Sequence, residues 1–282
     1  MKPAPALDIP GPHHLPNRFA VRTAGPSGLK ITGSNYKAPL HFLSKHASPR
    51  SSLRCSLHST AHKKDNSPAL VSVYKHQHRK SGWTTTTQIG NVKFTSSPGR
   101  GWENYQIILH RKAGNDECID MPQTSNKTHQ FRMRVNGREE GFEWIKGDSW
   151  MQELRTICKR EAPVVKTGMQ REKTGRLVSM VMGWVLVRVT GRAVQPVGKD
   201  GEGTPLGYDK QGREIVASWA FSRTRGFGGA VYFFQWWGSG ATGELGEDFT
   251  RVAATTGATL YHEEVLRQAA EQRARNKSQT GM

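Results

Sequence analysis

Four arginines, Arg188, Arg213, Arg223 and Arg225, have the residue type and setting that best suit a ligand. Arg223-Thr224-Arg225 precedes the glycine run Gly226-Phe227-Gly228-Gly229, between two apolar stretches. Two cations on a glycine-rich loop beside an aromatic ring meet the needs of a phosphate oxyanion, on a lipid headgroup or on nucleic acid. Arg188 and Arg213 stand at the ends of neighbouring apolar runs, with Arg192, Lys199 and Lys210 close by in sequence, and can join the same anion site. The competing reading is solvated loop charge, the default for arginine and lysine.

Other motifs invite chemistry and support it less. Residues 238–243, GSGATG, satisfy the dinucleotide spacing G-x-G-x-x-G between an expected strand and an expected helix. No second parallel strand follows within the chain. Glu244, Glu247 and Asp248 put negative charge where a pyrophosphate would dock. A tight glycine turn feeding a helix is the better reading. Cys55, His58 and His62 form C-x2-H-x3-H, with His41 or His46 as a fourth candidate. A structural zinc site needs four convergent ligands, and no second cysteine pair supplies them. His76 and His78 alternate as on a strand edge. Gly147-Asp148-Ser149 resembles an esterase motif, but no Asp-x-x-His pair follows it; capping of a helix by Asp148 explains it. There is no G-x-S-x-G, Walker loop or His-Glu-x-x-His pattern. The expectation is a binding protein rather than an enzyme, with no cofactor and no metal.

The elements that must position these residues are mostly strands. Runs rich in Val, Ile, Phe, Tyr and Trp recur at 69–74, 89–95, 104–110, 131–135, 141–145, 177–190, 214–221 and 230–237. Turn residues separate them, among them Asn136-Gly137, a hairpin signal. A short helix is expected over 149–160, and a long one from Glu247 to about Lys277. Residues 252–261 carry no charge on any face, which marks a helix enclosed on all sides. Ala253, Ala254, Gly257 and Ala258 admit close neighbours. Beyond Tyr261 the sequence turns charged, so there the helix should meet solvent.

The chain has 282 residues and a net charge of +18, from 41 Lys/Arg against 23 Asp/Glu. This excludes an acidic solvating protein and permits anionic partners. Residues 1–80 hold 13 of the basic residues and only Asp8 and Asp65 as acids, with nine of the 14 prolines and none of the eight tryptophans. That composition predicts a disordered basic tail over 1–66 and a folded domain over 67–282. A basic tail could also bind nucleic acid by neutralising phosphates. The tail lacks the apolar core of a secretory signal, and its prolines oppose the amphipathic helix of a mitochondrial presequence. The expected location is intracellular, cytoplasm or nucleus, with the mitochondrion as lesser alternative. The best membrane-span candidate, 177–189, is too short and is broken by Ser179, Gly183 and Arg188. Three cysteines are too few for a disulfide framework.

Four segments in order, Phe142-Glu143-Trp144, residues 183–188 (GWVLVR), residues 212–220 (GREIVASWA) and residues 238–247 (GSGATGELGE) followed by the uncharged helix, resemble a group of fungal proteins similar to the tubby-like and scramblase-like superfamily. The resemblance covers roughly 69–265. It implies a closed antiparallel β-barrel around a hydrophobic C-terminal helix, and a module that binds anionic membrane lipids. No phosphoinositide-binding residue of tubby proteins maps onto a position here, so the four arginines rest on their own chemistry.

Overall fold

Alternating side chains build most of this chain. In the run THQFRMRV, His129, Phe131, Met133 and Val135 are buried, while Gln130, Arg132 and Arg134 face out, the period of two that a half-buried strand requires. The computed structural model describes residues 15–23, 28–32, 39–45, 53–58, 69–76, 85–89, 92–96, 104–111, 115–125, 127–147, 181–190, 207–222 and 230–280. Among these the strands are β1 (Arg18–Thr23), β2 (Gly28–Thr32), β3 (Pro39–Lys45), β4 (Leu53–His58), β5 (Ala69–His76), β6 (Thr85–Ile89) and β7 (Val92–Ser96). They continue with β8 (Asn104–Leu109), β9 (Glu117–Ser125), β10 (Thr128–Val135), β11 (Arg138–Gly147), β12 (Val181–Arg188), β13 (Ile215–Ser222) and β14 (Ala230–Trp236). Helices α1 (Gly238–Thr242) and α2 (Gly246–Thr280) follow. The protein is mainly β, with a C-terminal helix.

β6 and β7 form a separate hairpin. The other strands pair antiparallel in the order β1-β14-β13-β12-β11-β10-β9-β8-β5-β4-β3-β2, and β1 also pairs with β2. Asn136 and Gly137, at φ 50° and 79°, make the β10–β11 turn. Positive φ at both positions is what this two-residue hairpin demands.

The expected disordered tail is not what the structure contains. β1 to β4 lie within residues 1–66 and are paired into the main sheet. Phe19, Val21, Leu29, Ile31, Leu43, Cys55 and Leu57 are buried in the same core as the later strands. The boundary at 66 separates β4 from its neighbour β5, so the first strands belong to the folded unit. The composition of the whole segment hid short pairs such as Phe19/Val21 and Leu29/Ile31, which alternate as strands do. The run 89–95 also differs, since it is divided between β6 and β7. The helix expected at 149–160 lies outside the described residues.

α2 packs on the inner face of the sheet. Phe249 meets Phe142 and Trp236 at ring-centroid distances of 4.7 and 6.1 Å, while Tyr261 meets Tyr232 at 4.6 Å and Trp219 at 5.7 Å. The helix therefore runs antiparallel to β14, entering near the end of that strand and leaving near its start. Residues 252–262 are buried and 269–279 exposed, as the uncharged stretch foretold. A Cβ on Gly257 would meet Phe234, Trp219 and Trp144 at 3.0, 3.1 and 3.4 Å. Three threonines sit inside because their hydroxyls donate to carbonyls four residues back: Thr255 to Arg251, Thr256 to Val252 and Thr259 to Thr255. Thr256 also accepts the Trp144 indole N–H at 2.9 Å.

Candidate functional site

Where α2 enters, arginines and carboxylates pair with one another. Arg188, at the end of β12, donates twice to Glu140, at 2.7 and 2.9 Å, and once to Glu244 at 3.2 Å. Glu214 lies 3.7 Å from the same guanidinium. The Arg188 hydrogen bonds hold the Glu140 carboxyl below its usual range. Arg213 donates to Asp209 and Glu143, each at 2.7 Å. Both guanidinium groups are engaged by the chain's own carboxylates, so an external anion there competes with Glu140 at Arg188 and with Asp209 and Glu143 at Arg213. The carboxylates that engage them come from β11 and from the turns before β13 and before α2; all but Asp209, four residues before Arg213, are distant in sequence. Arg223 and Arg225 lie outside the described residues. The strand ends that flank them, Ser222 and Ala230, pair with Val181 and Arg22 at the opposite end of the sheet.

The glycine turn is a packing device. Glu214 occupies the start of α1, accepting the Ser239 backbone N–H at 2.6 Å and the Ser239 hydroxyl at 3.0 Å. A Cβ on Gly238 would lie 2.2 Å from the Glu214 carboxylate, and one on Gly240 would lie 2.2 Å from the Val216 carbonyl oxygen. The chain's own carboxylate stands where a nucleotide phosphate would need to sit. Cys55 and His58 are three residues apart on β4 and so face opposite sides of the sheet. They cannot converge on one ion. Among the described residues no cluster of three His, Cys, Asp or Glu side chains could hold a metal.

The end where α2 leaves the sheet has a different character. Glu263 receives Arg54 of β4 at 3.1 Å and Lys75 of β5 at 2.8 Å. Glu264 receives Lys146 of β11 at 2.8 Å, Gln268 at 2.8 Å, and both Nε and Nη2 of Arg267. Burial pushes the Glu264 carboxyl up, but the bonds from Arg267, Lys146 and Gln268 outweigh it and hold the group down at about 2. Beside this collar lies a cleft of about 280 Å³. Its sheet wall takes Tyr105, Gln123, His129, Lys146 and Trp184 from β8 to β12 in turn, and its helix wall includes Leu260, Leu266 and Arg267. The His129 ring stands between Tyr105 and Trp184, at 5.4 and 5.5 Å. The indole N–H of Trp184 is buried with no hydrogen-bond partner among the described residues.

Basic residues collect at this same end. Arg22, Lys30, Lys45, Arg54, Lys75, Lys127 and Lys146 occupy the strand segments and turn nearest the helix exit, and Arg267, Arg273, Arg275 and Lys277 follow along α2. The acids there among the described residues are Glu263, Glu264 and Glu271. Sequence reading missed this grouping because β1 to β4 went unrecognised. The signal within reach was Glu263-Glu264 followed by Arg267, where an uncharged helix abruptly gains charge. Compared with protein-family models, curated proteins and solved structures, the chain finds no match.

Proposed function

We propose that the paired strands form a closed barrel of tubby-like type around α2, and that the protein is a non-enzymatic binding module for an anionic lipid headgroup or another phosphate-bearing partner. The observation that carries this reading is the excess of lysine and arginine over acids where the helix leaves the sheet. Each exposed cation near an anionic surface contributes about 1 kcal/mol, and Arg267, Arg273, Arg275 and Lys277 are exposed, while the cations paired with Glu263 and Glu264 offset those acids. Arg223 and Arg225 join the proposal on their sequence chemistry alone, as two cations before a glycine run. On this reading the protein is intracellular, in the cytoplasm or nucleus, with the mitochondrion as lesser alternative.

Co-sedimentation of the full chain with vesicles tests the reading. Phosphatidylcholine vesicles are compared with ones that also contain phosphatidylserine or a phosphoinositide, and with random-sequence duplex DNA, at low and high salt. The expected result is salt-sensitive binding to the anionic vesicles that weakens when Arg273, Arg275 and Lys277 are all replaced by alanine. These side chains are exposed, so the variant keeps its fold. Binding to DNA in preference to every vesicle would transfer the site to nucleic acid, as the basic N-terminal composition suggested. Equal binding to neutral and anionic vesicles would refute the electrostatic reading.

A further inference from the structure

We propose that the cleft between α2 and the rim of β8 to β12 binds a small planar organic carboxylate, held by Lys146 and by the Trp184 indole N–H. This rests on the anion-binding reading above but concerns a soluble ligand at one place rather than a charged surface.

The cleft, at about 280 Å³, lies near the lower limit of roughly 300 Å³ for small-molecule pockets. It suits a compact ligand and excludes a folded partner. Its sheet wall is aromatic, with the rings of Tyr105, His129 and Trp184 in succession. Leu260 and Leu266 stand on the helix side. A flat apolar body fits such walls.

The polar groups decide the sign of the ligand's charge. Glu264 already takes two donors on each carboxylate oxygen: Arg267 Nη2 and Gln268 on one, Lys146 and Arg267 Nε on the other. Both oxygens of Glu263 have a cation beside them. Glu264 therefore has nothing left to offer a cationic ligand, and Glu263, whose Oε1 takes no hydrogen bond among the described residues, is already flanked by Arg54 and Lys75. Donors are the surplus. The Lys146 ammonium has three N–H groups, of which one serves Glu264. The Trp184 N–H lies buried and unpartnered among the described residues, the condition in which a donor gains most from an acceptor. Lys146 and Trp184 are directly opposite each other on β11 and β12, so the two donors come from one cross-strand pair. An acceptor-bearing anion completes them; an ammonium does not.

Isothermal titration of the full chain with 2-naphthoate, and with 2-naphthylmethylamine as the cation of similar shape, tests this. Saturable binding of the naphthoate is expected, with the amine at least about tenfold weaker. Trp184→Phe keeps an aromatic ring and deletes the donor; it should weaken naphthoate about tenfold while its melting temperature stays near that of the native protein. Lys146→Met should weaken naphthoate at least as much, but it also strips a partner from Glu264, so Trp184→Phe is decisive. Absence of saturable naphthoate binding, equal affinity for the amine, or undiminished binding by Trp184→Phe would each overturn the proposal. The vesicle assay separates the two readings. Naphthoate binding without vesicle binding leaves the cleft and removes the surface; vesicle binding that Trp184→Phe leaves intact, without naphthoate binding, does the reverse.

Discussion

Replacing Glu264 by glutamine should make stability less dependent on pH, and the size of the effect follows from the collar. The Glu264 side chain is 5% exposed and sits between Lys146 and Arg267. Its carboxyl is held at about 2, against an ordinary 4.5. A depression of that size corresponds to about 3 kcal/mol. Arg267 is half exposed, and screening brings a realistic figure nearer to about 2 kcal/mol. Because the folded-state value is the lower one, this stabilisation is complete above the unfolded value and fades as pH falls from about 5 towards 2. Glutamine has nearly the same shape, still accepts a hydrogen bond, and cannot ionise. The gap between native protein and Glu264→Gln should be about 2 kcal/mol at pH 7 and under about 1 kcal/mol at pH 3. Urea unfolding at the two pH values measures it, and at pH 7 the midpoint should move by about 1 M. Some acid sensitivity will persist in the variant, since the Arg188 hydrogen bonds also hold Glu140 low. An equal gap at both pH values would show that Glu264 acts through packing alone and would refute the ionic collar.

Two further substitutions probe the fold. Ala254 is 1% exposed and faces core neighbours, so Ala254→Asp buries an unpaired charge costing several kcal/mol, comparable with a whole domain's stability of about 5–15 kcal/mol; soluble protein should be lost, whereas Ala270→Lys on the exposed part of α2 should shift stability by no more than about 0.5 kcal/mol. Deleting residues 1–66 removes β1 to β4 and bares the edges of β14 and β5, so the truncated chain should aggregate or lose its cooperative melt; an unchanged melt would return those residues to the status of a dispensable tail.

The sequence made the second half of the fold legible and obscured the first. Residues 252–261 announced their burial by lacking any charge, and Asn136-Gly137 announced its hairpin, because each signal is local and has one physical cause. β12, β13 and β14 were visible as dense runs of Val, Phe and Trp. β9 was not, for only Ile119 and Met121 turn inward with Cys118, Asp120 and Pro122 between and beside them. β1 to β4 were lost to averaging. Prolines are enriched in 1–66, yet of the two described there Pro16 precedes β1 and Pro39 begins β3. The helix-exit cleft was illegible for another reason. Lys146, Trp184 and Arg267 come from separate elements, and the register that sets Lys146 opposite Trp184 is fixed by pairing over a long connection.

The two ends of α2 also show why a cation's setting in sequence says little about its availability. Arg188 has the turn-side position expected of an anion-binding residue, but Glu140, Glu214 and Glu244 surround it. An external phosphate would have to displace Glu140 from a two-point contact and leave that carboxylate part-buried without its partner, a loss larger than one new surface contact returns. Arg213 is held in the same way by Asp209 and Glu143. At the helix exit the proportions are reversed. Glu263 and Glu264 are the acids in the collar, and Arg54, Lys75, Lys146 and Arg267 converge on them. One lysine or arginine per carboxylate neutralises the buried charge, and the second leaves positive potential at the rim. On the proposed reading an anion is drawn there because the carboxylates run out, not because the arginines are densest, whereas at the entry end Arg188 and Arg213 already face carboxylates of the chain itself.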